Sequence, residues 1–197
     1  MKVMLFAAGL GTRLRPLTDT MPKAMVPVGG RPLIDICLHH LIEQGASEVV
    51  VNVHHFAQQI IDYINAHEWR IPVRISDESE ELLNTGGGLH KAGELFSDDG
   101  QPILIHNVDI LSNAPIQEFY KNHLTHDATL LVSERDTQRY LLFDDDMRLR
   151  ARYVVLLPTL NPKNCITMLS RAFTCFRHDS LLSWNTILRL SPSWTSI

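Results

Sequence analysis

The residues best suited to chemistry stand near the start of the chain. They lie in the loop Ala7-Ala8-Gly9-Leu10-Gly11-Thr12-Arg13-Leu14-Arg15-Pro16-Leu17-Thr18 and in Pro22-Lys23-Ala24-Met25-Val26-Pro27-Val28 just beyond it. Gly9 and Gly11 let backbone amides approach an anion closely, because no Cβ stands in the way. Arg13, Arg15 and Lys23 add positive charge within the same short span. Amides and cations converging on one place form a cradle for a triphosphate, since the charge that develops in phosphoryl transfer is stabilised by such groups together with a metal. Two familiar phosphate patterns are excluded. Leu14 stands where a dinucleotide fingerprint needs its third glycine, and no Gly-Lys-Ser/Thr closes the loop as in a P-loop.

The elements that must position this loop alternate between strand and helix. Residues 2 to 7 are a continuous apolar run ending in Ala-Ala-Gly, the pattern of a central parallel strand. Leu33, Ile34, Cys37, Leu38, Leu41 and Ile42 recur at helical spacing between Pro32 and Gly45. Glu48 to Val53 is β-branched, and Phe56, Ile60, Ile61 and Ile64 mark a second amphipathic helix. Val73-Arg74-Ile75 reads as a strand, Gly88 to Phe96 as a helix, Ile103 to His106 as a buried strand, Ile116 to Leu124 as a helix and Ala128 to Val132 as a strand. This order predicts an α/β, Rossmann-like fold: an open mixed, mostly parallel sheet with helices on both faces, residues 1 to 150 forming one domain. Ligands in such sheets sit beyond the carboxyl ends of the strands, which directs attention to the loops after Phe6, Val53 and His106.

Composition narrows the partners. With 45% apolar and 20% charged residues the 197-residue chain reads as a globular protein rather than a disordered or fibrous one. Cys37, Cys165 and Cys175 have no metal-ligand spacing and an odd count, which points to a reducing, cytoplasmic setting. The acidic balance, net −4, argues against nucleic-acid binding, and no apolar run reaches membrane-spanning length. The expected partners are therefore small phosphorylated molecules, with the chain a monomer or homodimer. His39-His40 and His54-His55 read as structural or solvated, Cys37 as core, and Asp144-Asp145-Asp146 as a polar hairpin turn.

The stretch from Ala7 to Pro32, GxGTRLxPxT followed by PKxMxPVxxxP, resembles the signature of the sugar-1-phosphate nucleotidyltransferases. Looser likeness runs through Thr85-Gly86-Gly87-Gly88-Leu89 and Asn107-Val108-Asp109, so about two thirds of the chain is covered. The resemblance leans towards N-acetylmuramate-1-phosphate uridylyltransferases, with mannose-1-phosphate guanylyltransferase-like proteins close behind. It implies condensation of an NTP with a sugar 1-phosphate to an NDP-sugar and pyrophosphate, with Mg²⁺ as cofactor. It also implies roles. Ala8, Gly9 and Gly11 form the nucleotide-binding loop, Thr12 and Arg13 hold the β- and γ-phosphates, and Lys23 bridges the α-phosphate and the sugar phosphate. Asn84, Gly87 and Gly88 join the nucleotide-binding set, Asn107 contacts substrate and Asp109 holds the metal. Read without the resemblance, Asp109 also suits a helix cap before Asn113-Ala114-Pro115, and the glycine triplet a flexible loop, as the secondary alternatives. The family places Gly before the metal-binding Asp; here Val108 stands there.

Residues 151 to 197 differ in kind. They hold one acid, Asp179, against five basic residues, and Trp184, Trp194 and five serines crowd into the last 18 positions. No later carboxylate resembles the second metal ligand of the family. The expectation is a tail that is truncated or read from an altered frame, beginning near Arg150. Two rival functions follow: a catalytically impaired nucleotide- or sugar-binding domain, and a cytidylyltransferase of the phosphocholine type.

Overall fold

In the computed structural model the described residues are 1–123, 128–133, 139–143, 149–154 and 166–176. They divide into two compact units, one built on Met1–Thr129 and one on Leu130–Phe173. In the first, β1 (Lys2–Phe6) leads through a small hairpin, β2 (Pro27–Val28) and β3 (Arg31–Pro32), into α1 (Leu33–Glu43). Then follow β4 (Glu48–Val53), α2 (Ala57–Asn65), β5 (Val73–Asp77), α3 (Asn84–Gly93), β6 (Ile103–Asn107) and α4 (Ile116–Asn122).

The four long strands pair in parallel in the order β5-β4-β1-β6. β1, β4 and β6 are largely apolar because both faces are covered, and β4 is buried at every position, whereas the edge strand β5 carries Arg74 and Asp77 and is partly exposed. From β1 the chain steps outward to β4 and β5, then doubles back past β4 and β1 to β6. Right-handed crossovers therefore place α1 and α2 on one face and α3 on the other. Packing agrees: Leu89, Ala92 and Phe96 seal onto Met4, Val50, Ile103 and Ile105, alternate residues that share the α3 face. β1 is the point where strand order reverses, so the crevice beyond Phe6 is where such a sheet takes a ligand.

Several boundaries differ from the sequence reading, those of α3, β5 and α4 the most. Gly88 was expected to open a helix, yet α3 begins at Asn84 and runs through all three glycines. Glycine costs a helix about 1 kcal/mol per residue. Here tertiary packing overrides that preference, because Gly88 is pressed against Glu78 and Asn52 at the sheet surface. β5 extends two residues past Ile75, where ladder pairing with β4 continues to Val53↔Asp77. α4 ends at Asn122, and Leu124 lies outside the described residues.

In the second unit β8 (Arg139–Phe143) pairs antiparallel with β9 (Leu149–Val154), and β10 (Ile166–Phe176) runs antiparallel to β8. β7 (Ala128–Ser133) pairs with β10. Asp144-Asp145-Asp146 fall between β8 and β9 and, with Asp179 and the two late tryptophans, lie outside the described residues. No helix among the described residues is long and apolar enough to cross a membrane.

Candidate active site

The loop after β1 is shaped by one glycine. Gly11 sits in the left-handed region, φ +65°, and accepts from the Leu14 amide at 2.8 Å and the Thr18 hydroxyl at 2.9 Å. A Cβ there would stand 2.9 Å from Thr18 Cγ2 and 3.1 Å from Lys23 Cβ, so the position admits only glycine on both counts. Short 3₁₀ turns at Thr12–Leu14, Leu17–Asp19 and Lys23–Met25 then fold the segment back, and buried Ala24 anchors the last of them.

This fold-back carries Lys23 to the mouth of the crevice. Its Nζ lies 2.9 Å from Asp109 Oδ2, with the two side chains 18% and 34% exposed. A Cβ on Gly9 would lie 3.8 Å from the same amine, so the ammonium sits over the bare backbone of the loop. Residues 14 and 86 positions apart in sequence from Lys23 thus meet around one nitrogen. Partial burial strengthens such a pair relative to a surface one. Arg13 and Thr12 stay exposed on the first 3₁₀ turn, and among the described residues no ion pair holds Arg13. Arg15 is drawn off: its Nε lies 3.4 Å from Asp19 on an exposed surface.

Asp109 follows β6 by a tight turn in which the Val108 amide donates to the Phe6 carbonyl at 3.1 Å. Val108 is fully buried, and its carbonyl accepts from Cys37 Sγ at 3.1 Å. The valine that replaces the family's glycine therefore packs inward and leaves the carboxylate side of the turn open. Cys37 is core, as its helical face implied. Burial, reinforced by the Asp109 charge, pushes its thiol up to about 12. In a chain carrying Cys165→Ser and Cys175→Ser, Cys37 should not react with a disulfide reagent at pH 8, because only about 10⁻⁴ of it is thiolate. Labelling should appear on adding urea; native labelling at a free-thiol rate would show that α1 lifts from β6.

Asn107 ends β6 and is exposed, in register with Phe6, which in turn is in register with Asn52 of β4. The three positions form a row across the carboxyl end of the sheet. Asn84 and Gly87 lie on the exposed first turns of α3, Asn84 at φ +56°, whereas Gly88 is buried. Ala8 is buried too, and only its backbone is available. The histidine pairs are structural in the main: His54 Nδ1 lies 2.6 Å from the Glu78 carbonyl, and His39 packs edge-on against Trp69.

Sequence reasoning passed over Asn52 and Glu78. Asn52 Oδ1 accepts the Ala7 amide at 2.8 Å and the Ala8 amide at 3.4 Å, while its Nδ2 donates to Glu78 Oε1 at 2.8 Å. The signal was present: an amide inside the otherwise apolar Val49-Val50-Val51-Asn52-Val53 must find buried partners.

A family profile described as nucleotidyl transferase matches residues 2–142. The chain is 43% identical over 109 residues to N-acetylmuramate alpha-1-phosphate uridylyltransferase of Caulobacter vibrioides, covering 54% of this chain and 44% of that protein. It is 33% identical over 140 residues to the probable mannose-1-phosphate guanylyltransferase 1 of Oryza sativa subsp. japonica, covering 69% and 39%. Among solved structures, HddC from Yersinia pseudotuberculosis superposes with a TM-score of 0.75 at 21% identity, over 92% of this chain and 79% of that one, which bears on fold alone. The chain thus spans less than half the length of these two curated relatives. With the profile covering well over half of its residues, the chain belongs to the nucleotidyl transferase family.

Proposed function

We propose that this protein condenses an NTP with a sugar 1-phosphate, giving an NDP-sugar and pyrophosphate. The observation that carries the reading is the Lys23–Asp109 pair set over Gly9 at the strand-order reversal. It brings a cation, bare backbone and a carboxylate to the place where this fold binds ligands. Both reactants are anions, and their approach costs Coulomb energy that a fixed ammonium offsets. A phosphate oxygen of the sugar attacks the α-phosphorus, a new P–O bond forms, and the bond from that phosphorus to the β-phosphate oxygen breaks as pyrophosphate leaves. The attacking oxygen is already ionised near neutral pH, so no protein base or nucleophile is needed.

In this reaction Lys23 holds the α-phosphate and the sugar phosphate together. Thr12, Arg13 and the amides at Gly9 and Gly11 hold the leaving phosphates, and Ala8, its amide turned to Asn52, shapes the start of the loop. Asn84 and Gly87 border the nucleoside, and Asn107 the sugar. The donor set fits a hard divalent ion: Asp109 is accessible and commits one oxygen to Lys23, and among the described residues its other oxygen has no partner. Among the described residues no cluster of three or more metal-ligating side chains forms, so Asp109 would hold Mg²⁺ together with phosphate oxygens, as that ion prefers. When bound, the ion neutralises charge on the phosphates and fixes their alignment.

N-acetylmuramate 1-phosphate and UTP are the favoured pair, because the uridylyltransferase relative is 43% identical over 109 residues of this chain. Guanylyl transfer to mannose 1-phosphate is the second reading, on the likeness to the rice protein. Incubation with Mg²⁺, each of the four NTPs and a panel of sugar 1-phosphates, followed by pyrophosphate detection, tests both. Release should require two substrates and be fastest with UTP and N-acetylmuramate 1-phosphate. Binding of NTP without release under any pairing would overturn the catalytic reading in favour of a binding domain.

A further inference from the structure

A buried polar chain ties the two halves of this site together. The Ala7 and Ala8 amides donate to Asn52 Oδ1, Asn52 Nδ2 donates to Glu78 Oε1, and Glu78 Oε2 accepts the Leu83 amide at 3.2 Å. Asn52 and Glu78 are each only 1% exposed. The Glu78 backbone is pinned as well, its amide donating to the Val53 carbonyl at 2.8 Å. One end of the chain is the start of the glycine loop after β1; the other is the entry to α3. A Cβ on Gly88 would fall 2.6 Å from Glu78 Oε1 and 3.2 Å from Asn52 Nδ2, so α3 also rests directly on this pair.

The direction of every bond is forced. Backbone amides at both ends can only donate, so the chain must contain an acceptor-only group, and a carboxylate is the one side chain that qualifies. Glu78 accepts from both sides, and it thereby sets which way the Asn52 amide faces. Glutamine at 78 would present its NH₂ either to Asn52 Nδ2 or to the Leu83 amide, donor against donor. A buried mismatch of that kind carries the full desolvation cost of the unpaired groups.

We propose that Asn52 and Glu78 are positioning residues that lock the phosphate-side loop at Ala7–Gly11 to the nucleoside-side turn at Leu83–Gly88, so that a nucleoside triphosphate meets both as one rigid surface. This rests on the nucleotide-site reading above and deepens it. Neither residue touches substrate; each acts through the backbone it holds. A preformed surface spares the ligand the cost of ordering two separate segments, and that gain accrues only to a ligand spanning both.

The distinguishing experiment compares a whole ligand with its pieces. Calorimetric titrations in Mg²⁺ would use the best-bound NTP, its nucleoside 5′-monophosphate and inorganic tripolyphosphate, on the unaltered chain, Glu78→Gln and Gly88→Ala. In both variants NTP affinity should fall about tenfold or more, while the monophosphate and tripolyphosphate stay within about threefold. Gly88→Ala removes no polar group, and its Cβ displaces the far end of the Glu78 side chain rather than backbone, so it keeps the test open should Glu78→Gln fail to fold. Equal losses for all three ligands, or an unchanged NTP affinity, would overturn the coupling role. An unaltered chain that binds no NTP would overturn the nucleotide-site reading itself, and this inference with it, before any variant is made.

Discussion

Lys23→Ala is expected to slow pyrophosphate release by on the order of 10²–10³-fold, the usual loss when one preorganised electrostatic donor is removed from a transition state. The amine is aimed by its surroundings: a 3₁₀ turn anchored by buried Ala24 carries it, and Asp109 and the Gly9 backbone fix where it ends. In the proposed reaction it acts where two anions approach, and charge on the reacting phosphates must be met there by something already in place. Stability should barely change. A partly exposed ion pair contributes about 1 kcal/mol or less, so the melting temperature should stay within about 3 °C. Lys23→Arg should recover only a small part of the rate, because a planar fork cannot replace a compact ammonium between two phosphates. The companion variant Asp109→Asn should raise the Mg²⁺ concentration needed for half-maximal rate while leaving the fold intact. Stopped-time pyrophosphate assays and a thermal melt on the same samples check both. A Lys23→Ala protein that melts normally and turns over normally would remove this residue from the mechanism.

Gly11→Ala should combine a loss of stability with a loss of nucleotide affinity. Two separate penalties meet at this residue: a left-handed backbone, and a Cβ that would stand 2.9 Å from Thr18 Cγ2 and 3.1 Å from Lys23 Cβ. Together they should cost about 1–3 kcal/mol of folding free energy. NTP affinity should fall at least tenfold, because the loop can relieve the clash only by moving the amides and Lys23 that the ligand needs. Gly29→Ala separates the causes, since Gly29 has φ +59° but nothing within 4 Å of its Cβ position, so it pays for conformation alone. Adding Thr18→Ser to Gly11→Ala removes the nearest methyl while keeping the hydroxyl that donates to the Gly11 carbonyl, and should restore part of both losses. Urea unfolding and NTP titration across these variants measure the effect. Equal behaviour of Gly11→Ala and Gly29→Ala would show that the contact with Thr18 and Lys23 is immaterial.

Much of the fold was written in local pattern. The apolar run at Lys2–Phe6, the helical spacing from Leu33 to Glu43 and the β-branched Glu48–Val53 each declared their element, because a strand or helix covered on a face must bury side chains at its own period. The helix through Asn84-Thr85-Gly86-Gly87-Gly88 was not legible in the same way. Its glycines argue against a helix locally, and the structure accounts for one of them: Gly88 approaches Glu78 and Asn52 too closely for a Cβ.

By itself the sequence determined the α/β alternation, the glycine loop, and the residue types that any phosphate site here would use, since these depend on spacing along the chain. Tertiary structure decided where each cation goes: Lys23 reaches Asp109, Arg15 turns aside to Asp19, and Arg13 stays exposed. It also decided that Val108 faces the core and that Asn52 and Glu78 link the loop after β1 to the entry of α3. Those outcomes rest on strand order, which brings residues from β1, β4, β5 and β6 to one end of a sheet. No local rule encodes that meeting, because its physical cause is the crossover path that places distant strands side by side.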